Sequence, residues 1–322
     1  MRAFITGASG FIGSHLAARL VRDGWRVAAL VHGRAVDAAE GIERVEGDIR
    51  DAAPLAAAMK GADVLFHLAS ALGASRLGEE ELRAINAGGT RAALSAARAA
   101  GVKRVVHFSS AGVLGHVAEG RAAAEDHPLD PRDAYDRTKL EGERIALAFA
   151  GEGWDVVVIR PGWVYGPGDR RTLKLFRAAA RKRIPVVGRG RTLQTPVFID
   201  DLIDGTLRAA DRGRAGEIYN LAGPEVLTVR EIVAIAAEAA GAKPIRFGVP
   251  ALPTKAAGWA LGKAFGAIGR EAPLNPSRLA FFIHPKPLDI RKASAALGYA
   301  PAWDFRRGAA ATVAWYRAQG WM

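Results

Sequence analysis

Short apolar, β-branched runs alternate with longer alanine-rich stretches through the first half of the chain. The short runs at 2–6, 26–31, 43–47, 62–69, 104–109 and 155–160 read as strands buried on both faces. Between them, 11–23, 54–60, 79–100 and 135–150 read as helices. Strand–helix alternation of this kind predicts an α/β, doubly wound parallel sheet covered on both faces. After residue 160 the pattern breaks, and Pro, Gly and basic residues dominate 161–191. The run 217–221 resembles a further strand, and 225–290 is helical with Pro and Gly interruptions, which suits a smaller C-terminal lobe against the sheet. The apolar stretch 251–269 is interrupted by Lys255 and Lys263, which fits a surface helix over a cleft better than a membrane span.

At 322 residues the chain has room for about two compact units. Its 50% hydrophobic and 24% charged residues are those of an ordinary globular protein. With no cysteine, disulfides, zinc–thiolate sites, iron–sulfur clusters and thiol nucleophiles are excluded. No run of about 18 apolar residues predicts a spanning helix, and the start turns glycine-rich too early for a signal peptide, so a cytoplasmic protein is expected. The histidines show no metal-ligand spacing, so no metal is expected, and His67, His107 and His116 read as structural.

Lys and Arg outnumber Asp and Glu 45 to 33, a net +12, but only ten of the basic residues are lysine. Arg170, Arg171, Lys174, Arg177, Arg181, Lys182, Arg183, Arg189 and Arg191 cluster. A solvated helix face is the favoured reading over an anion or peripheral membrane contact. No helix-turn-helix or aromatic RNA-binding pattern accompanies the charge, so nucleic acid is not expected as a partner.

Gly7-Ala8-Ser9-Gly10-Phe11-Ile12-Gly13 directly follows the first predicted strand and opens the first predicted helix. One glycine permits the tight turn, one lets the backbone approach a pyrophosphate, and one allows close helix–strand packing. The helix N-terminus then offers N–H groups to phosphate. The loop points to a Rossmann-type dinucleotide site, with 1–165 as the NAD(P)-binding domain and 192–224 returning to it. Residues 166–191 and 225–322 are left as the substrate-binding lobe. After the second strand, His32-Gly33-Arg34 offers no carboxylate before Asp37. That favours NADP over NAD, with His32 and Arg34 near the ribose phosphate.

Tyr135 and Lys139 are four apart on a predicted helix and share a face. A tyrosine titrates near ~10, and a nearby ammonium favours its phenolate. The pair can therefore exchange a proton with a carbonyl or alcohol oxygen. Ser110, just past the fifth strand at the edge where ligands bind, is the hydroxyl that would hold that oxygen.

These motifs, with the three-and-three glycine spacing, resemble the extended branch of the short-chain dehydrogenase/reductase superfamily, the epimerase/dehydratase family. The resemblance covers nearly the whole chain. It implies adenine contacts at Asp48 and Ile49, and cofactor contacts at Leu68, Ala69 and Ser70 in the His67–Ser70 motif. It also implies cofactor roles for Asn86, Ser109, Pro161 and Val164, beside those of Ser9, Phe11, Ile12, Tyr135 and Lys139. Aligning Val113-Leu114-Gly115 with the family's V-Y-G makes Ser110, rather than Ser109, the catalytic serine. A homodimer through the 79–100 and 135–150 helices is a further implication.

Two positions depart from the sugar-nucleotide members. Trp163 stands where those members often carry Asn, and Gln194-Thr195-Pro196 where they often carry Arg. Both changes remove polar grips on a diphosphate, and an indole at Trp163 suits a flat or apolar substrate. The C-terminal segments 273–282, 288–293, 297–301 and 312–316 resemble 3β-hydroxysteroid dehydrogenase-like and dihydroflavonol reductase-like relatives. The expectation is an NAD(P)-dependent oxidoreductase acting on a bulky ketone or secondary alcohol. The alternatives are a nucleotide-sugar epimerase/dehydratase and a non-catalytic NAD(P)-sensing protein.

Overall fold

The computed structural model describes residues 1–32, 41–72, 77–118, 120–181, 186–187, 189–243, 248–249 and 281–322. Six strands come first: β1 (Arg2–Thr6), β2 (Arg26–Val31), β3 (Ile42–Glu46), β4 (Val64–His67), β5 (Arg104–Phe108) and β6 (Asp155–Pro161). Four short strands follow, β7 (Trp163–Tyr165), β8 (Val186–Val187), β9 (Leu193–Gln194) and β10 (Pro196–Phe198), and then β11 (Ile218–Leu221). Finally, β12 (Leu227–Thr228) pairs with β9, and β13 (Gly248–Val249) with β8.

β1 to β6 and β11 form one parallel sheet in the order β11-β6-β5-β4-β1-β2-β3. Chain direction across the sheet reverses between β1 and β4, the switch point where ligands bind in open parallel sheets.

Alternate strand residues feed opposite faces, and this splits the interior into two cores. Ile5, Ala29, Phe66, Val106 and Val157 share one core with α1 (Phe11–Arg22), while Phe4, Ala28, Leu65, Val105 and Val156 share the other with α2 (Ala52–Ala58). Burying each such Leu, Val or Phe contributes about 1.5–3 kcal/mol.

The predicted 79–100 helix is α3 (Glu79–Arg83), a π-helical turn (Ala84–Gly88) and α4 (Gly89–Ala99) in sequence. Next come α5 (Ala134–Gly151), α6 (Arg170–Ala180), α7 (Ile199–Arg212), α8 (Val229–Ala239), α9 (Arg291–Leu297) and α10 (Phe305–Ala318). β11 is the sheet's seventh strand, as the run at 217–221 suggests, and α7 packs under β5 and β6.

Within 161–191, α6 carries part of the basic cluster on a helix, in keeping with the helix-face reading. Leu173, Phe176 and Ala179 recur at helical spacing and are buried, and the Asp169 side chain caps the helix by accepting from the Arg171 N–H. Several of the clustered cations have intramolecular partners. Arg170 lies 4.6 Å over the Trp321 ring, Arg177 Nε donates to the Trp321 carbonyl (2.7 Å), and Arg171 pairs with Asp169. The two contacts with Trp321 fasten the C-terminal tail to α6.

Among the described residues no helix is long and apolar enough to cross a membrane. The 251–269 stretch, Arg34 and most of 273–282 lie outside the described residues.

Candidate active site

β1 delivers Thr6 and then Gly7, whose φ of 78° is open to glycine and strained for other residues. A Cβ on Gly7 would come 2.7 Å from the Ala69 nitrogen, and one on Gly13 would come 2.2 Å from the Gly7 carbonyl oxygen. The loop is therefore folded to the limit that glycine allows. Gly10 stands at the N-cap of α1 without a side-chain acceptor, so the first-turn N–H groups near Phe11 and Ile12 stay available to an anion. Ser9 and Gly10 are exposed beside them. This cradle, pressed against the Leu68–Ala69 backbone after β4, fits a dinucleotide pyrophosphate.

Behind the loop runs a chain of hydrogen bonds that motif reading missed. The Ala69 N–H donates to Thr6 Oγ1 (3.2 Å), Thr6 Oγ1 meets His67 Nδ1 (2.7 Å), and His67 Nε2 meets Thr90 Oγ1 (2.9 Å). Thr90 then donates to the Asn86 carbonyl oxygen (2.6 Å) in the π turn. Because Thr90's proton is spent on Asn86, His67 Nε2 must donate and its Nδ1 must accept. Burial, with the Lys139 charge adding to it, holds His67 down at about 3, so the ring is neutral.

Asn86 ties two site segments together. Its Oδ1 accepts from Ser70 Oγ (3.0 Å) and the Ala71 N–H (2.7 Å), and its Nδ2 donates to Ala71 O (3.1 Å) and Thr138 Oγ1 (3.0 Å).

β5 ends at Phe108, and Ser110 caps the 3-10 turn 111–114, its Oγ accepting from the Gly112 N–H (3.0 Å). α5 starts at Ala134, where the Asp133 side chain accepts from the Asp136 N–H, and its first turns pack on that 3-10 turn. The Tyr135 phenol lies near the Ser70 side chain. Burial, and then the neighbouring Asp136 charge, push its phenol up to about 12. Lys139 is 4% exposed and donates to the Phe108 carbonyl oxygen (2.5 Å). Burial brings its ammonium down to about 8, against the opposing pull of Glu143.

Glu143 lies one helical turn beyond Lys139, the spacing that joins Tyr135 to Lys139, so the signal for it was present in the sequence. Its carboxylate accepts from Ser109 Oγ (2.5 Å) and from Arg160 through two bonds of 2.9 and 2.6 Å. The Ser109 hydroxyl is thus spent inward, whereas Ser110 is the serine at the site's edge.

At the other end of the sheet, Asp48 follows β3. Arg50 grips its carboxylate, with Nε donating to Oδ1 at 2.8 Å, and holds it down to about 2. His32 Nε2 lies 3.6 Å from the same carboxylate. Ile49 packs against Gly89, where a Cβ would come 2.8 Å from its Cγ2.

Past β6, which ends at Pro161, Val164 is buried and Trp163 enters an aromatic wall. The indole lies 5.8 Å from the Tyr165 ring, 4.8 Å from Phe281 and 6.0 Å from Phe305. Gln194 Nε2 donates to the Phe281 and His284 carbonyl oxygens (3.0 and 2.9 Å), so its amide is spent on backbone.

Residues 3–222 match the family described as NAD dependent epimerase/dehydratase. The chain belongs to the NAD-dependent epimerase/dehydratase family. It is an NAD(P)-dependent enzyme of the extended short-chain dehydrogenase/reductase type, as the motifs suggest.

A 4-hydroxy-2-methyl-3-oxo-4-farnesyl-3,4-dihydroquinoline-1-oxide ketoreductase from Stigmatella aurantiaca is 33% identical, over 96% of this chain and 94% of that protein. Sterol demethylase protein B from Methylococcus capsulatus is 31% identical over 99% of each. Among solved structures, DesIV, a dTDP-glucose 4,6-dehydratase from Streptomyces venezuelae with NAD bound, is 30% identical. The match has a TM-score of 0.80 and covers 100% of this chain and 98% of that one.

Proposed function

We propose that this family member moves a hydride between a nicotinamide cofactor and a bulky, largely apolar ketone or secondary alcohol. The observation that carries the substrate class is the wall beside β6. Trp163 and Phe281, both partly buried, supply ring surface there, backed by the fully buried rings of Tyr165 and Phe305, and the Gln194 amide is already consumed by backbone carbonyls. Leu72, two residues beyond Ser70, adds a 45% exposed apolar side chain. The names of the Stigmatella and Methylococcus relatives, a farnesylated ketone reductase and a sterol demethylase protein, lie in the same chemical direction.

Ser110 Oγ holds the substrate oxygen, Tyr135 gives or takes the proton at that oxygen, and Lys139 offers its ammonium to the ribose hydroxyls and to the charge forming on the phenol. The dinucleotide, when bound, supplies or accepts the hydride. Gly7, Ser9, Gly10 and Gly13 cradle its pyrophosphate, Asp48 and Ile49 flank the adenine, and Leu68, Ala69, Pro161 and Val164 line the path to the nicotinamide. His32, exposed at the end of β2 where a carboxylate would select NAD, supports a preference for NADP. α4 and α5 would pair two copies of the chain, a dimer that light scattering reads directly.

The likeness to DesIV favours a second reading, a nucleotide-sugar epimerase or dehydratase. The experiment is a substrate panel containing trans-1-decalone, a 3-ketosteroid, UDP-glucose and dTDP-glucose, run with NADPH and with NADH. Ketone-dependent NADPH oxidation that disappears in Tyr135→Phe, while cofactor binding persists, supports the first reading. Conversion of a sugar nucleotide without net cofactor consumption selects the second.

A further inference from the structure

Asp136 follows Tyr135 on α5, and its side chain is 6% exposed. On one side it fills the space over Gly112, where an added Cβ would come 1.7 Å from Asp136 Oδ1. Gly112 is the residue whose N–H holds Ser110 Oγ. On the other side Lys286 Nζ lies 3.3 Å from Asp136 Oδ2, reaching in from 150 residues away.

The segment bearing Lys286 is fastened by bonds of its own. The Lys286 N–H donates to Leu193 O (3.0 Å), the Leu288 N–H donates to Thr195 Oγ1 (2.9 Å), and Gln194 binds the carbonyls of Phe281 and His284. One carboxylate therefore abuts the neighbours of both Ser110 and Tyr135, while its counter-ion arrives from the segment that also carries the aromatic wall's Phe281.

We propose, resting on the Ser110–Tyr135–Lys139 reading above, that Asp136 and Lys286 form a positioning pair that couples the seating of residues 281–289 to the placement of Ser110 and the charge beside the Tyr135 phenol. Neither side chain needs to touch the substrate. With Lys286 in place, Asp136 is held against Gly112 and its charge is largely neutralised. Without Lys286, a buried carboxylate is left facing the phenol and opposes its ionisation. Besides Lys139, one turn further along α5, the groups around Tyr135 are Asp133 on α5, Arg171 on α6 and Ser70 after β4, and Asp133 also faces Asp136.

The test compares Lys286→Met, Lys286→Arg, Asp136→Asn and the Asp136→Asn/Lys286→Met double variant with Tyr135→Phe. One readout is the pH profile of kcat/KM for trans-1-decalone reduction with NADPH. The other, independent of turnover, is the ionisation midpoint of Tyr135 in 13Cζ-tyrosine-labelled protein, its resonance assigned by its loss in Tyr135→Phe.

Lys286→Met is expected to move the basic limb and the phenol midpoint upward by about half a unit to one unit, and Asp136→Asn to move both downward. Lys286→Arg restores the wild-type profile, and the double variant follows Asp136→Asn, because Lys286 acts through Asp136. Single variants with the wild-type midpoint, or shifts that simply add in the double variant, overturn the pair. Full turnover in Tyr135→Phe instead overturns the reading on which the pair rests, whatever the midpoints show.

Discussion

Arg160 and Glu143 meet through two hydrogen bonds of 2.9 and 2.6 Å, each side chain only 1% exposed, directly behind Ser109 and one turn from Lys139. Arg160 also donates to the Glu125 carbonyl oxygen (2.9 Å), and Glu125 Oε1 accepts from the Asn220 N–H on β11. The pair thus joins α5, β6 and β11 under the site. Its Coulomb attraction offsets a desolvation cost that neither charge could bear alone.

Glu143→Ala should therefore cost about 3–5 kcal/mol, because it strands the Arg160 guanidinium in the interior. Urea denaturation monitored by circular dichroism is the measurement. The expected result is a lower midpoint at an unchanged slope. A loss below about 1 kcal/mol would mean that water reaches Arg160 freely.

Lys139 carries a pH signature whose sign is set by burial. Its folded-state value is about 8, below the 10.5 of an exposed lysine, so between these values the unfolded chain binds more protons than the folded one. Stability from this group then rises with pH across that window, and the burial penalty is fully present below it. Lys139→Met should remove that rise. The check is the difference in unfolding free energy between wild type and variant at several pH values from 7.5 to 10.5; a difference that stays flat would contradict the burial of a charged ammonium.

The sheet was readable because strands buried on both faces leave uninterrupted apolar runs. β1, β2 and the start of β5 fall where the runs do, and the glycine loop is bound by steric limits that only its residue types satisfy. The basic cluster reads as a helix face, but the burial of Leu173, Phe176 and Ala179 on the opposite face of α6, and the contact of Arg170 with Trp321, emerge only once the tail is folded back. The π turn around Asn86 depends on backbone bonds that side-chain periodicity does not encode. Tyr135 and Lys139 were visible as neighbours on one helix. Lys286, the counter-ion of Asp136, is hidden by a sequence separation of 150 residues.

Gly13 and Gly10 should respond differently to the same change. A methyl on Gly13 would come 2.2 Å from the Gly7 oxygen and 2.8 Å from the Ala8 Cα, both backbone atoms that cannot move without reshaping the loop. A methyl on Gly10 would come 3.2 Å from the Gly7 oxygen, a contact that a small adjustment relieves. Gly13→Ala should weaken NADPH binding by about a hundredfold or more, as fluorescence titration reads it, and Gly10→Ala by about tenfold or less. Equal losses would mean that the loop's fit to the cofactor does not depend on its packing against Gly7.

His67 and His107 stack with ring centres 5.3 Å apart, yet they should answer substitution in opposite ways. Both rings nitrogens of His67 are engaged, by Thr6 and Thr90, while neither nitrogen of His107 has a hydrogen-bond partner among the described residues. Replacing His67 with Leu leaves the buried Thr6 hydroxyl proton without its acceptor and takes from Thr90 Oγ1 the N–H it accepts, and should destabilise the fold by about 1–3 kcal/mol. Replacing His107 with Leu exchanges an unsatisfied imidazole for an apolar group of similar bulk, so stability at pH 7 should hold or rise. Burial drives both histidines below the ordinary value of 6.5. The unfolded chain therefore takes up protons first as pH falls, and stability is lost from about 6.5 downward. His107→Leu removes one of these two proton-uptake sites. Its advantage over wild type should thus widen from pH 7 to pH 5, as thermal denaturation at the two values will show, and an advantage that shrinks toward pH 5 would mean that His107 is charged in the folded protein.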